Sequence, residues 1–165
     1  MDLLIREATP EDAAGIVAVF NPIIEARSFT TFDTPFTVEA ERSYIAGLGP
    51  RDIFHVAVAA DDAVVGFQSM APFTTYSNAF DHVGVIGTYV DLERRRQGIA
   101  NGLFAATFAA ARRKGYEKIF TYIRADNPAA LATYQKQGFR IVGNADRHAK
   151  LHGRYVDMIV VERML

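Results

Sequence analysis

Three arginines run into a glycine at Arg94-Arg95-Arg96-Gln97-Gly98-Ile99-Ala100-Asn101, just after an apolar stretch that ends at Asp91. A strand feeding a helix through such a turn presents free backbone N–H groups and a positive dipole end to one anion. Gly98 and the small Ala100 let the main chain come close to a ligand, and the arginines add charge where phosphates would sit. A pyrophosphate suits this spacing better than a solvated basic turn explains it.

The elements that must hold this turn are read from periodicity. After it, Ile99, Leu103, Ala106 and Ala110 recur at helical spacing, and Gly115 ends the helix. Before it, His82 to Asp91 reads as a strand whose glycines at 84 and 87 suggest a bulge or a close backbone approach. Leu3 to Glu7 is a first strand. Thr9-Pro10-Glu11-Asp12 opens a helix that Asn21-Pro22 is expected to break near Phe20. Thr37 caps another helix that ends near Gly47, and Asp61-Asp62 turns a hairpin between Ile53 and Ala71. Lys118 to Ile123 is a strand, Asn127-Pro128 starts a helix stopped by Gly138, and Phe139 to Val142 with Tyr155 to Glu162 complete the strands. The class is mixed α/β with much antiparallel pairing, in one domain spanning 1–165.

Composition narrows the function. The chain has 165 residues, no cysteine, and a formal charge of −1 from 18 basic and 19 acidic residues. A disulfide framework, a thiolate metal site and a cysteine nucleophile are excluded, and no metal is expected. The basic footprint that nucleic-acid binding needs is missing, and no apolar run has the length of a signal peptide or membrane span. A cytoplasmic protein with neither a nucleic-acid nor a membrane partner is expected.

The segment Arg95-Arg96-Gln97-Gly98-Ile99-Ala100 resembles the acetyl-CoA motif of the GNAT N-acetyltransferase superfamily, Arg or Gln, two residues, Gly, one residue, then Gly or Ala. Asn127-Pro128 through Tyr134 to Gly138-Phe139 resembles the second motif of that family, in the right order. The resemblance covers nearly the whole chain. It implies a GNAT-like fold, a mostly antiparallel twisted sheet of six to seven strands flanked by helices. It also implies that the main chain of residues 95–100 holds the CoA pyrophosphate and that Thr88-Tyr89-Val90 pairs with the pantetheine arm. By the same resemblance, Val90's main chain polarises the thioester, Asn127 contacts pantetheine, and Tyr134 is the general acid for the departing thiolate.

The opening, Ile5 to Asn21, and the loop Phe29-Thr30-Thr31-Phe32-Asp33-Thr34-Pro35 resemble the phosphinothricin acetyltransferase branch, which acetylates small amino-acid-like amines and in which dimers are common. Phe32 and Val85 are the implied acceptor contacts. That branch places a glutamate base where this chain has Val85. An ammonium has no lone pair, so its proton must leave through another side chain or through water. His82, beside Asp81, titrates near neutrality and is the candidate for a base relayed by water, a surface histidine being the alternative. The basic run Arg147 to Arg154 reads as a solvated hairpin tip, with an acidic-substrate or subunit contact as the other reading. Phe73, Tyr76 and Phe80 either line the acceptor pocket or anchor their loop. A protein or peptide amine, or a CoA-binding domain without turnover, are the competing functions.

Overall fold

The computed structural model describes residues 2–165. Its elements follow as β1 (Leu3–Glu7), α1 (Ala13–Glu25), α2 (Val38–Ala46), β2 (Ile53–Ala59), β3 (Val64–Pro72), β4 (Val83–Val90), α3 (Ile99–Arg113), β5 (Lys118–Arg124), α4 (Pro128–Lys136), β6 (Arg140–Leu151) and β7 (Arg154–Met164). One seven-stranded sheet has the order β1-β2-β3-β4-β5-β7-β6. Every pairing is antiparallel except β4 with β5.

Alternation along the central strands divides the core between two sheet faces. Phe54, Val56, Val58 and Phe67 meet Ile16, Val19, Phe20, Ile23 and Ile24 of α1 on one face. Met70, Ile86, Ile119, Ile123 and Val161 meet Phe104 and Phe108 of α3 and Tyr134 of α4 on the other. Both helix pairs therefore grip the middle of the sheet, and the β4–β5 seam runs between them.

Three local readings change. Helix α1 does not stop at Phe20 but continues through Pro22 to Glu25. An interior proline costs roughly 3 kcal/mol, yet the stripe Ile16, Val19, Phe20, Ile23, Ile24 is continuous and buried. Burying each of two isoleucines contributes about 1.5–3 kcal/mol, which offsets the loss. Strand β4 has no bulge, since it pairs with β3 in unbroken register from Gly84 to Val90. Gly84 instead makes room for side chains: an added Cβ would collide with Met70 Cε and lie 3.3 Å from the Tyr116 ring. The basic run is not a loop. Strand β6 extends to Leu151, and positive φ at His152 (52°) and Gly153 (78°) turns the chain into β7. Register shifts in β6 between Ile141 and Gly143 and between Ala145 and Ala149 had broken the alternation that would have revealed it.

Candidate active site

Strands β4 and β5 pair in parallel only at Val83, Gly84 and Val85, opposite Lys118, Ile119 and Phe120. Beyond that point they diverge. On its other edge β4 remains paired with β3, and the bonds from Phe73 N to Val83 O and from Asp91 N to Val65 O fix the alternation. Odd-numbered residues of β4 therefore spend their main-chain groups on β3, while the even-numbered ones aim theirs at the gap. The carbonyl of Ile86 accepts a bond from Thr121 Oγ1 at 2.6 Å. The main-chain groups of Thr88 and Val90 are left facing an open slot.

The slot has a volume of 190 Å³ and is lined by Phe29, Thr30 and Thr31 of the loop after α1, by residues 86–89 of β4, by residues 121–124 of β5, and by Ala130, Tyr134 and Met158. Past the end of β4, Gly98 has φ of 80° and caps α3, and an added Cβ there would meet nothing within 4 Å. This is an open cradle in front of the first turn of α3, whose leading N–H groups have no helical partner. Ile99 is core, only 1% exposed, so its contribution to a ligand is its N–H. Arg96, with φ of 63°, and Gln97 are exposed on the turn. Arg95 lies over the Phe29 ring at 4.2 Å.

Asn127 caps α4 by accepting from Ala130 N at 3.2 Å, and its Nδ2 donates to Phe29 O at 3.4 Å. Tyr134, 7% exposed, stands above the seam with its Oη 2.9 Å from Thr88 Oγ1. Burial pushes the Tyr134 hydroxyl well above its ordinary value, with the Thr88 bond acting in the opposite direction. Tyr89 turns to the other face, between Phe20 at 4.5 Å and Phe67 at 4.9 Å, and burial pushes its hydroxyl up to about 12. The free main-chain edge, the empty space before Gly98 and the phenol at the seam fit an extended thiol ester that ends in a pyrophosphate.

A profile of the Acetyltransferase (GNAT) family matches residues 22–139. The chain belongs to this family. The L-methionine sulfoximine/L-methionine sulfone acetyltransferase of Pseudomonas aeruginosa is 26% identical over 98% of this acetyltransferase and 94% of its own length. The phosphinothricin N-acetyltransferase of Streptomyces coelicolor is 25% identical over 99% and 97%. A phosphinothricin acetyltransferase from Sinorhizobium meliloti, solved with acetyl-CoA, superposes with a TM-score of 0.90 at 20% identity, covering 100% of this chain and 89% of that one. The GNAT enzyme described here is thus an acetyl-CoA-dependent N-acetyltransferase.

The expected acceptor residues are less well gathered than the cofactor residues. Val85 is the last pair before the strands part, across from Phe120. Phe32 is 45% exposed and stacks edge-on against Phe20 at 5.1 Å. His82 precedes β4 and lies six residues, about 20 Å at strand rise, from Thr88; its carbonyl accepts from Glu117 N and Lys118 N. The structure does not bring it to the slot. Phe73 stacks on Phe80 at 5.4 Å and on Phe120 at 5.2 Å, and Phe120 meets Tyr122 at 5.7 Å. The aromatic loop therefore continues into the strand beside Val85. His148 stacks on Tyr122 at 5.5 Å.

Sequence reasoning missed Arg124 and Gln68. Arg124, 7% exposed, is held by Asp126 at 2.8 Å and donates Nη1 to Thr30 O at 3.0 Å, fixing the loop that roofs the slot. Gln68 is fully buried and donates Nε2 to Thr88 Oγ1 at 2.8 Å. A lone amide within the apolar run Val64–Met70 was the available signal. A larger depression of 590 Å³ lies between the end of α4 and β6–β7. Of its charged residues, Arg140 is paired with Glu162 and Arg163 with Gln137 O, which leaves Lys136 as its unpaired cation among the described residues.

Proposed function

We propose that the acceptor is the primary amine of a small amino-acid-like molecule, acetylated by direct attack within a ternary complex. The observation that carries this reading is the parting of β4 from β5 just beyond Val85 and Phe120, which leaves a slot between the two strands. The relatives that act on methionine sulfoximine and phosphinothricin support the acceptor class.

Acetyl-CoA supplies an activated acetyl thioester. Residues 95–100 hold its diphosphate by main-chain N–H groups, with Arg95 and Arg96 adding charge, and Asn127 and Val90 line the arm. Tyr134 meets Thr88, so the reacting carbon belongs beside Thr88 and its free N–H, two residues below Val90. That amide, aimed into the gap, polarises the carbonyl. Tyr134 holds the proton that the departing sulfur takes. Val85, Phe120 and Tyr122 face the acceptor, whose apolar portion lies on the aromatic row. Ammonium deprotonation falls to water in the open slot; His82 is too distant for contact, and a role for it requires a water chain. Alignment of the two reactants supplies most of the acceleration, since effective molarities reach roughly 10⁵ M or more.

No helix among the described residues is long and apolar enough to cross a membrane. The cysteine-free composition supports a cytoplasmic location. The edge strand β6, with Ile141 and Val142 about half exposed, supports a homodimer. The test is thiol release from acetyl-CoA with a panel of amino acids, amino-acid sulfones, polyamines and peptides. Turnover confined to small α-amino acids is expected; turnover only with peptides would overturn the acceptor assignment.

A further inference from the structure

We infer that Gln68 is a positioning residue for Tyr134, acting through Thr88 to turn the phenol proton toward the departing sulfur. The inference rests on the reading of Tyr134 as the proton donor. Gln68 sits on β3 with no solvent exposure, in register with His55 of β2 on one side and Thr88 of β4 on the other. Its Nε2 donates to Thr88 Oγ1 at 2.8 Å, and Thr88 Oγ1 lies 2.9 Å from Tyr134 Oη. An amide nitrogen only donates, so Thr88 Oγ1 is the acceptor in the first bond. The Thr88 hydroxyl proton then has Tyr134 Oη as its only acceptor among the described residues. Donation in that direction leaves the Tyr134 O–H free to point into the slot, whereas an unsupported phenol would donate back to Thr88.

A second observation sets Gln68 apart from core packing. Its Oε1 is buried and has no hydrogen-bond partner. Buried acceptors are nearly always paired, and an orphan is retained at a cost. An apolar side chain of the same length would fill the site without that cost, so the amide is there for its donor. During transfer the amine nitrogen forms the C–N bond and the C–S bond breaks with its electron pair going to sulfur. The Tyr134 proton moves to that sulfur, and the phenolate regains a proton from the amine nitrogen through water. Each hydrogen bond of the row points toward the oxygen on which negative charge develops, and aligned bonds strengthen one another.

The test uses Gln68→Met, Thr88→Val, Thr88→Ser and Tyr134→Phe in the whole protein. One readout needs no turnover: the affinity for CoA relative to desulfo-CoA from pH 7 to 9.5, across the thiol's ordinary titration. His55, the titratable neighbour in register, is held below its ordinary value by burial and stays neutral over this range. Wild type is expected to gain several-fold in CoA preference as the thiolate forms. Tyr134→Phe abolishes the gain, Gln68→Met and Thr88→Val reduce it, and Thr88→Ser keeps it. In turnover, Gln68→Met is expected to lower kcat about tenfold with little change in the acetyl-CoA KM and a Tm equal to or above wild type. In the Tyr134→Phe background it should cost nothing more. If Tyr134→Phe itself changes neither readout, the proton-donor reading fails. If Tyr134→Phe matters but Gln68→Met leaves both readouts unchanged, or costs as much in the Tyr134→Phe background, the positioning role fails alone.

Discussion

On the side of the slot assigned to the cofactor, free main-chain groups are presented and buried side chains fix them; on the side assigned to the acceptor, half-buried and exposed side chains from separate strands and loops meet with little mutual bonding. Gly98, Thr88 and Tyr134 are tied to helix α3 or to the Gln68–Thr88 row. The side chains of Phe120, Tyr122 and Phe73 are joined only by stacking, and Val85 meets Phe120 through the strand pairing. A ligand that never changes can be held by backbone, which no side-chain replacement alters. An acceptor that differs among relatives is met by side chains that can be replaced without disturbing a network.

The contrast is broken most severely at Gly98. Tryptophan there must adopt φ of 80°, which costs roughly 1–2 kcal/mol for a residue with a Cβ, and its ring would fill the open space in which we place the phosphate. Calorimetry should show CoA affinity reduced at least 100-fold in Gly98→Trp, with Tm lowered by about 2–8 °C from the backbone cost alone. Retention of wild-type affinity would remove the cofactor half of the comparison. A smaller effect is expected from Tyr89, whose ring anchors β4 to α1. Its hydroxyl is raised by burial from 10.0 to about 12, so its contribution to stability is complete below pH 10 and is lost as pH rises toward 12. A rise of this size corresponds to about 2–3 kcal/mol. Urea unfolding between pH 9 and 12 should fall less steeply for Tyr89→Phe than for wild type. Tyr134→Phe comes next: kcat is expected to drop about 10- to 30-fold, below the usual range for acid catalysis because a thiolate leaves without full protonation. Its CoA affinity at pH 7 should hold.

The same contrast explains what was legible beforehand. The strand, the arginines, the glycine and the helix of residues 88–100 are contiguous, so their spacing carries the site directly. Helix α4 was legible because Asn127, Tyr134 and Gly138 are each required by cap, seam and turn. Gln68 and Arg124 were not, since each gains meaning only from partners 20 and 94 residues away, Thr88 and Thr30. Strand β6 was cut short in the reading because its register shifts hide the period of two. Helix α1 was cut at Pro22 because propensity is local and the buried stripe that overrides it is not.

Val85→Glu sharpens the acceptor side, where the expected effect is smallest. The new carboxylate would stand beside Phe120 at the point where the strands part, in a partly buried position. Burial raises a carboxyl toward neutrality, and a base is most effective when its pKa lies near the working pH. If ammonium deprotonation limits turnover with water alone, kcat/KM at pH 7 should rise a few-fold for small amino acids. The pH–rate profile should gain an acid limb that wild type lacks. Core burial is barely altered, so Tm should fall by no more than a few degrees. An unchanged profile would mean that a group already on this face takes the proton. His148, stacked on Tyr122, is the first to replace, by asparagine, because it is the only imidazole stacked on the aromatic row among the described residues.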